Sequence, residues 1–96
     1  MFVVLLKFAD NRSQASQFMD SHNAWLQRGF DDGVFVLAGS LQPGRGGAIV
    51  AQGTELADLQ RRVEEDPFVR RGVVAAEILE IAPGKADPRL AFLLDA

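Results

Sequence analysis

Seven residues near the start, Phe2-Val-Val-Leu-Leu-Lys-Phe8, are apolar at both parities and rich in β-branched and aromatic side chains. A strand with one face in water alternates apolar and polar residues, so a strand apolar on both faces must be covered on both. The signature returns at residues 34–41, Val-Phe-Val-Leu-Ala-Gly-Ser-Leu, and at residues 73–81, Val-Val-Ala-Ala-Glu-Ile-Leu-Glu-Ile. Whatever fold this chain adopts must place apolar matter on each side of such strands.

Helical patterns lie between them. After the polar break Asp10-Asn-Arg-Ser13, the residues Ala15, Phe18, Met19, Trp25, Leu26 and Phe30 recur at helical spacing, which predicts a helix over 13–30 stopped by Asp31-Asp32-Gly33. Residues 42–47, with Pro43 and three glycines, read as a hairpin loop into a short strand at 48–51. Thr54 is the expected N-cap of a second helix carrying Leu56, Leu59 and Val63 on one stripe and Asp58, Arg61, Arg62 and Glu65 opposite. Asp66-Pro67 ends it, because the residue before a proline is pushed out of helical geometry.

The order is β-α-β-β-α-β. This is the α+β, ferredoxin-like arrangement: a four-stranded antiparallel sheet with strands one and three in the centre and two helices on one face. The expected domain is residues 1–83. A tail, 84–96, contains Leu90-Ala-Phe-Leu-Leu94 and is too apolar for a solvated terminus, so it is expected to pack on the domain or on a partner subunit. The chain of 96 residues is 48% hydrophobic, and its nine glycines raise the apolar share to about 57%, above the roughly 45–50% of an ordinary soluble domain. One small domain has too little interior for that excess. A face-to-face homodimer, closing a dimeric α/β-barrel-like assembly, satisfies the second sheet face most simply.

Charge and residue counts narrow the chemistry. Ten Lys and Arg against thirteen Asp and Glu give a net charge of −3, without the basic cluster that nucleic-acid binding needs. The absence of Cys and Tyr excludes disulfides, thiolate nucleophiles, iron–sulfur clusters and tyrosyl haem ligation. With His22 as the single histidine, a two-His metal site arises only across a subunit interface, and neither metal nor cofactor is expected. The longest apolar run, at residues 2–6, is far too short to span a bilayer, so no membrane association and a cytoplasmic location are expected.

Six residues stand out as candidates. His22 falls about 40° from Phe18 on the helical wheel, inside the apolar stripe, and so points at the sheet. It is either a core or interface histidine satisfied by a carbonyl, or a proton carrier in a desolvated site. Asp66 follows Glu64-Glu65 at a helix C-terminus, where the dipole disfavours anions. It is either the N-cap of a turn with Pro67 at its first position or a partner for an imidazole. Asp87-Pro88 repeats the same grammar. Ser40 and Arg45 flank the glycine-rich hairpin and are candidate substrate contacts, as are the aromatic Trp25 and Phe68, which equally read as core.

His22 within Ser-His-Asn-Ala-Trp-Leu, Asp32-Gly33 leading to Leu37-Ala-Gly-Ser-Leu-Gln-Pro43, the Gly-rich hairpin, and Glu65-Asp-Pro-Phe68 before Gly72-Val together resemble the YCII-related (YciI-like) family. The resemblance spans residues 2–83. It implies a ferredoxin-like fold, usually dimeric, and an active-site histidine and aspartate that carry over onto His22 and Asp66. Many members have no established reaction; some belong to aromatic-degradation pathways, a dehydrochlorinase among them. Where members often carry a second small residue or Pro after Ala-Gly, this chain has Ser40.

The expected function is a small-molecule enzyme in which His22 and Asp66 form a general acid–base pair for isomerase, lyase or dehydrohalogenase chemistry. The rival is a non-catalytic dimeric binding or accessory module in which the pair is structural. A third reading, a haem-binding or cofactor-free oxygenase of similar dimeric topology, has His22 as its one haem ligand.

Overall fold

The computed structural model describes residues 1–95, and the last residue of the tail lies outside them. Strand β1 (Phe2–Phe8) pairs antiparallel with β3 (Gly46–Ala51) on one side and β4 (Val74–Glu80) on the other. Strand β2 (Phe35–Leu41) pairs with β3 to complete the order β2-β3-β1-β4. The first and third strands are central, as the ferredoxin-like reading requires.

Strand parity explains the two faces. Phe2, Val4 and Leu6 are buried, and their register partners Ala51, Ile49 and Gly47 share their face. A bulge between Phe35 and Leu37 resets the parity of β2, so Phe35, Ala38 and Ser40 all join that face. Helices α1 (Ala15–Asp31), α2 (Leu56–Glu64) and α3 (Pro67–Arg70) supply the cover, through Trp25, Leu59, Val63 and Phe68. Trp25 donates its indole N–H to the Arg62 carbonyl at 2.9 Å, tying α1 to the end of α2. The opposite face carries Val3, Leu5, Ala48, Val50, Leu37 and Leu79, none of them fully buried, with Leu37 63% exposed.

Several boundaries differ from the sequence reading. The first helix begins with a 3-10 turn at Arg12–Gln14 before α1 proper, and no side chain caps it. Strand β3 starts at Gly46, not 48, because two of the three hairpin glycines, Gly47 and Gly46, pair with Leu6 and Lys7 of β1. A Cβ on Gly46, whose φ is +128°, would collide with the Leu6 carbonyl, so glycine is the residue that lets the chains close here. The cap of α2 is Glu55 rather than Thr54, without a side-chain hydrogen bond. At the other end, Asp66 does cap α3, with Pro67 at the first helical position. The tail forms a second 3-10 segment, Pro88–Asp95, in which Leu93 is buried while Leu90, Phe92 and Leu94 remain more than two-fifths exposed.

Candidate active site

Three residues of helix α1 are buried, His22, Trp25 and Gly29, one turn apart along the stripe that faces the sheet. Gly29 is required by close approach, since a Cβ there would lie 2.0 Å from Cδ2 of Phe35. That contact seats α1 against β2 and sets the depth at which His22 enters the interior.

The partner of His22 comes from 44 residues away. Nδ1 of His22 lies 2.7 Å from Oδ1 of Asp66, and Asp66 has no solvent exposure. The same Oδ1 accepts the backbone N–H of Phe68 at 3.0 Å. Because Oδ1 is already an acceptor, Nδ1 is assigned as the donor, and in the neutral ring the lone pair then belongs to Nε2. The first turn of α3 does two jobs at once. Asp66 binds the edge of the imidazole, and the Phe68 ring lies on its face at 4.0 Å, inclined by 4°. Trp25 stacks more loosely, with centroids 5.8 Å apart. The ring is thus held both at its edge and across its plane, which removes most of its rotational freedom. The other carboxylate oxygen, Oδ2, is buried without a hydrogen-bond partner.

In front of the ring lies a cleft of about 340 Å³, between α1 and the end of the sheet that carries the β2–β3 hairpin. Its walls are mostly apolar, among them Leu6, Phe8, Met19, Leu26, Ile49, Phe68 and Val74, and its polar side chains are His22, Asn23 and Ser40. Backbone at Gly39, Gly46 and Gly47 forms part of the lining, where the lack of side chains leaves the space open. An apolar cleft with a few convergent polar groups and a fixed imidazole is suited to binding a small organic molecule and moving a proton on it.

Of the six sequence candidates, His22, Ser40 and Phe68 line the cleft. Asp66 stands behind His22, hydrogen-bonded to its ring, and does not line the cleft. Trp25 belongs to the core, bonded to Arg62, and does not line the cleft. Arg45 does not line it either; its backbone accepts the Phe8 amide and donates to the Leu41 carbonyl, closing the hairpin. Asn23 and Met19 also line the cleft but were not site candidates in the sequence reading, where Met19 counted only toward the apolar stripe, although both flank His22 on its exposed side. A second cavity, among Arg28, Asp32, Thr54, Asp58, Arg61, Arg62 and Glu65, is a mixed-charge surface containing the Arg62–Asp32 ion pair at 2.9 Å. Among the described residues, no three His, Asp or Glu side chains gather in a metal-ligating cluster.

No curated protein matches the chain. Among solved structures, 5-chloro-2-hydroxyhydroquinone dehydrochlorinase from Burkholderia phenoliruptrix AC1100, in complex with 2,5-dihydroxybenzoquinone, superposes with a TM-score of 0.69. The match covers 88% of this chain and 96% of that one at 14% identity, a likeness of fold. The YCII-related domain profile matches residues 1–82. The fold and the sequence therefore converge, and the chain belongs to the YCII-related domain family.

Proposed function

We propose that this protein is an acid–base enzyme acting on a small, ring-shaped organic substrate, with His22 as the proton carrier and Asp66 as the residue that orients it. The observation that carries the reading is the buried 2.7 Å hydrogen bond from His22 Nδ1 to Asp66, which leaves Nε2 as the acceptor of a ring at the wall of an apolar cleft. Nε2 takes a proton from the bound substrate, and the released electron pair either expels a halide from a neighbouring carbon or is protonated again at another position. The first outcome is loss of HX and the second an isomerisation; in both, Asp66 stabilises the imidazolium formed in between. The dehydrochlorinase of the same fold makes chlorinated hydroxyhydroquinones the first substrates to try.

A second reading has an observation of its own, since Asp66 also caps α3 and a cap is a structural role. Capping alone does not call for a carboxylate. A Ser or Thr would accept the Phe68 amide without burying an oxygen that has no donor.

The same proposal includes a homodimer that covers the open sheet face with the partner's equivalent. Support comes from the row Val3, Leu5, Val50, Leu37 and Leu79, interrupted by the exposed Lys7–Glu77 pair at 3.9 Å. The test of the activity is chloride release from 5-chloro-2-hydroxyhydroquinone and related compounds. Wild type is expected to turn over a member of the panel, and His22→Gln to lose on the order of 10²-fold or more in kcat, the usual worth of a general base. Equal turnover by wild type and His22→Gln would overturn the assignment, and a panel without turnover would favour the accessory module.

A further inference from the structure

The two walls of the cleft differ in what they offer a ligand. The α1 wall carries His22 and Asn23 side by side, whereas the sheet wall carries one polar side chain, Ser40. The bulge between Phe35 and Leu37 puts it there, because in an unbroken alternation from Phe35 residue 40 would face the other side of the sheet. Around Ser40 the chain is glycine: Gly39 precedes it and Gly47 is its register partner on β3. Neither has a side chain to engage the hydroxyl, and the rest of the sheet wall, Leu6, Phe8 and Ile49 among it, is apolar. Among the described residues the Ser40 hydroxyl has no hydrogen-bond partner in the protein, whereas that of Ser21 donates to the Phe18 carbonyl at 3.1 Å. His22 turns its Nδ1 to Asp66, and no hydrogen bond joins its ring to Ser40. Without an adjacent base, Ser40 is a hydrogen-bonding group and not an activated nucleophile.

We propose that Ser40 is a specificity-determining residue, selecting among the rings that fit this cleft those that turn an uncharged oxygen, a hydroxyl or a carbonyl, toward the sheet wall. A serine hydroxyl both donates and accepts, so it serves either kind of oxygen. Against an otherwise apolar wall, a ligand oxygen that meets Ser40 recovers a hydrogen bond for the water it gives up, and one that meets carbon does not. A methyl group in the same place leaves the serine hydroxyl unmatched, which is how a hydrogen-bonding position discriminates. The inference rests on the cleft being the ligand site of the proposed enzyme. Binding rather than turnover is the readout, so a failure of oxygen selection and a failure of acid–base chemistry register separately.

Hydroquinone and 4-methylphenol share a shape and one hydroxyl and differ in the second oxygen, which makes them the probes. In amide-resolved NMR titrations of the full chain under anaerobic conditions, Ser40→Ala is expected to weaken hydroquinone binding about fivefold, the scale of one net neutral hydrogen bond. Binding of 4-methylphenol should be unchanged, and so should the melting midpoint, because the hydroxyl holds no other part of the protein. Asn23→Ala should leave the ratio of the two affinities as in wild type, since Asn23 flanks His22 and meets the oxygen that both probes carry. Wild type that binds neither probe overturns the cleft as the ligand site and this inference with it. With both probes bound by wild type, the role of Ser40 alone is overturned if Ser40→Ala weakens neither, if it weakens both alike, or if Asn23→Ala is the variant that changes the ratio.

Discussion

His22 is the only imidazole in the chain, and its buried place is fixed by three neighbours rather than by its own preference. The helical wheel puts it on the sheet-facing stripe, and the grammar of Asp66-Pro67 puts a carboxylate at the start of a new turn. What periodicity cannot supply is that the turn ends up against α1, because that contact depends on how far α2 carries the chain. The family resemblance joined the pair; the geometry then added Phe68, whose ring and amide complete the clamp. Two stability predictions follow at this scale. Asp66→Ala leaves the His22 Nδ1–H and the Phe68 amide without their acceptor, and urea denaturation should show a loss of about 2–4 kcal/mol. A loss below about 0.5 kcal/mol, the range of ordinary surface substitutions, would mean that the bond is not made in solution. Gly29→Ala should destabilise by about 1–3 kcal/mol, since Phe35 must move to admit a Cβ placed 2.0 Å from its ring. A neutral effect would show that α1 does not seat on Phe35 as closely as described.

Elements were legible where apolar periodicity is strong and less so at their ends. All four strands and both long helices follow from the pattern, while β3 begins earlier because glycine pairing is invisible to a reading based on side chains. The bulge in β2 is likewise silent in sequence, yet it turns Ser40 into the cleft side of the sheet. Asp-Pro as punctuation holds twice. Asp87 accepts the Arg89 amide at 2.9 Å as Asp66 accepts that of Phe68. Hydrogen bonds from the Arg89 side chain, and then from its backbone, hold the Asp87 carboxyl below the usual carboxylate range. A depressed folded-state pKa contributes stability that is present above the unfolded value and is lost as pH falls through the folded one. The Arg89 amide signal should therefore keep its folded position through the pH range where free Asp protonates and move only at lower pH. Movement at the ordinary Asp range would contradict the Asp87–Arg89 contact. Because Asp87 is exposed, global stability should not follow this titration.

For the whole molecule, strands apolar at both parities demanded two covers, and the structure supplies one of them from its own helices. The tail adds Leu90, Phe92 and Leu94 to the apolar surface while burying Leu93. Where it would lie in an assembly was not legible, since a single chain's periodicity carries no record of a partner. Sedimentation at micromolar concentration should give about twice the 10.5 kDa chain mass. Leu37→Asp, on the open face, should shift the population toward monomer with the fold retained, read by sedimentation and circular dichroism together. A monomeric wild type would contradict the proposed dimer.

The claim on which the functional account turns is that Asp66 fixes the imidazole with its proton on Nδ1 and its lone pair on Nε2 toward the cleft. With one histidine in the chain, ¹⁵N NMR of the labelled ring reads this directly at a pH where the imidazole is neutral. The account predicts a protonated Nδ1 and a bare Nε2 in wild type, with Asp66→Ala mixing the two tautomers. A proton resident on Nε2 in the folded wild-type protein would contradict it.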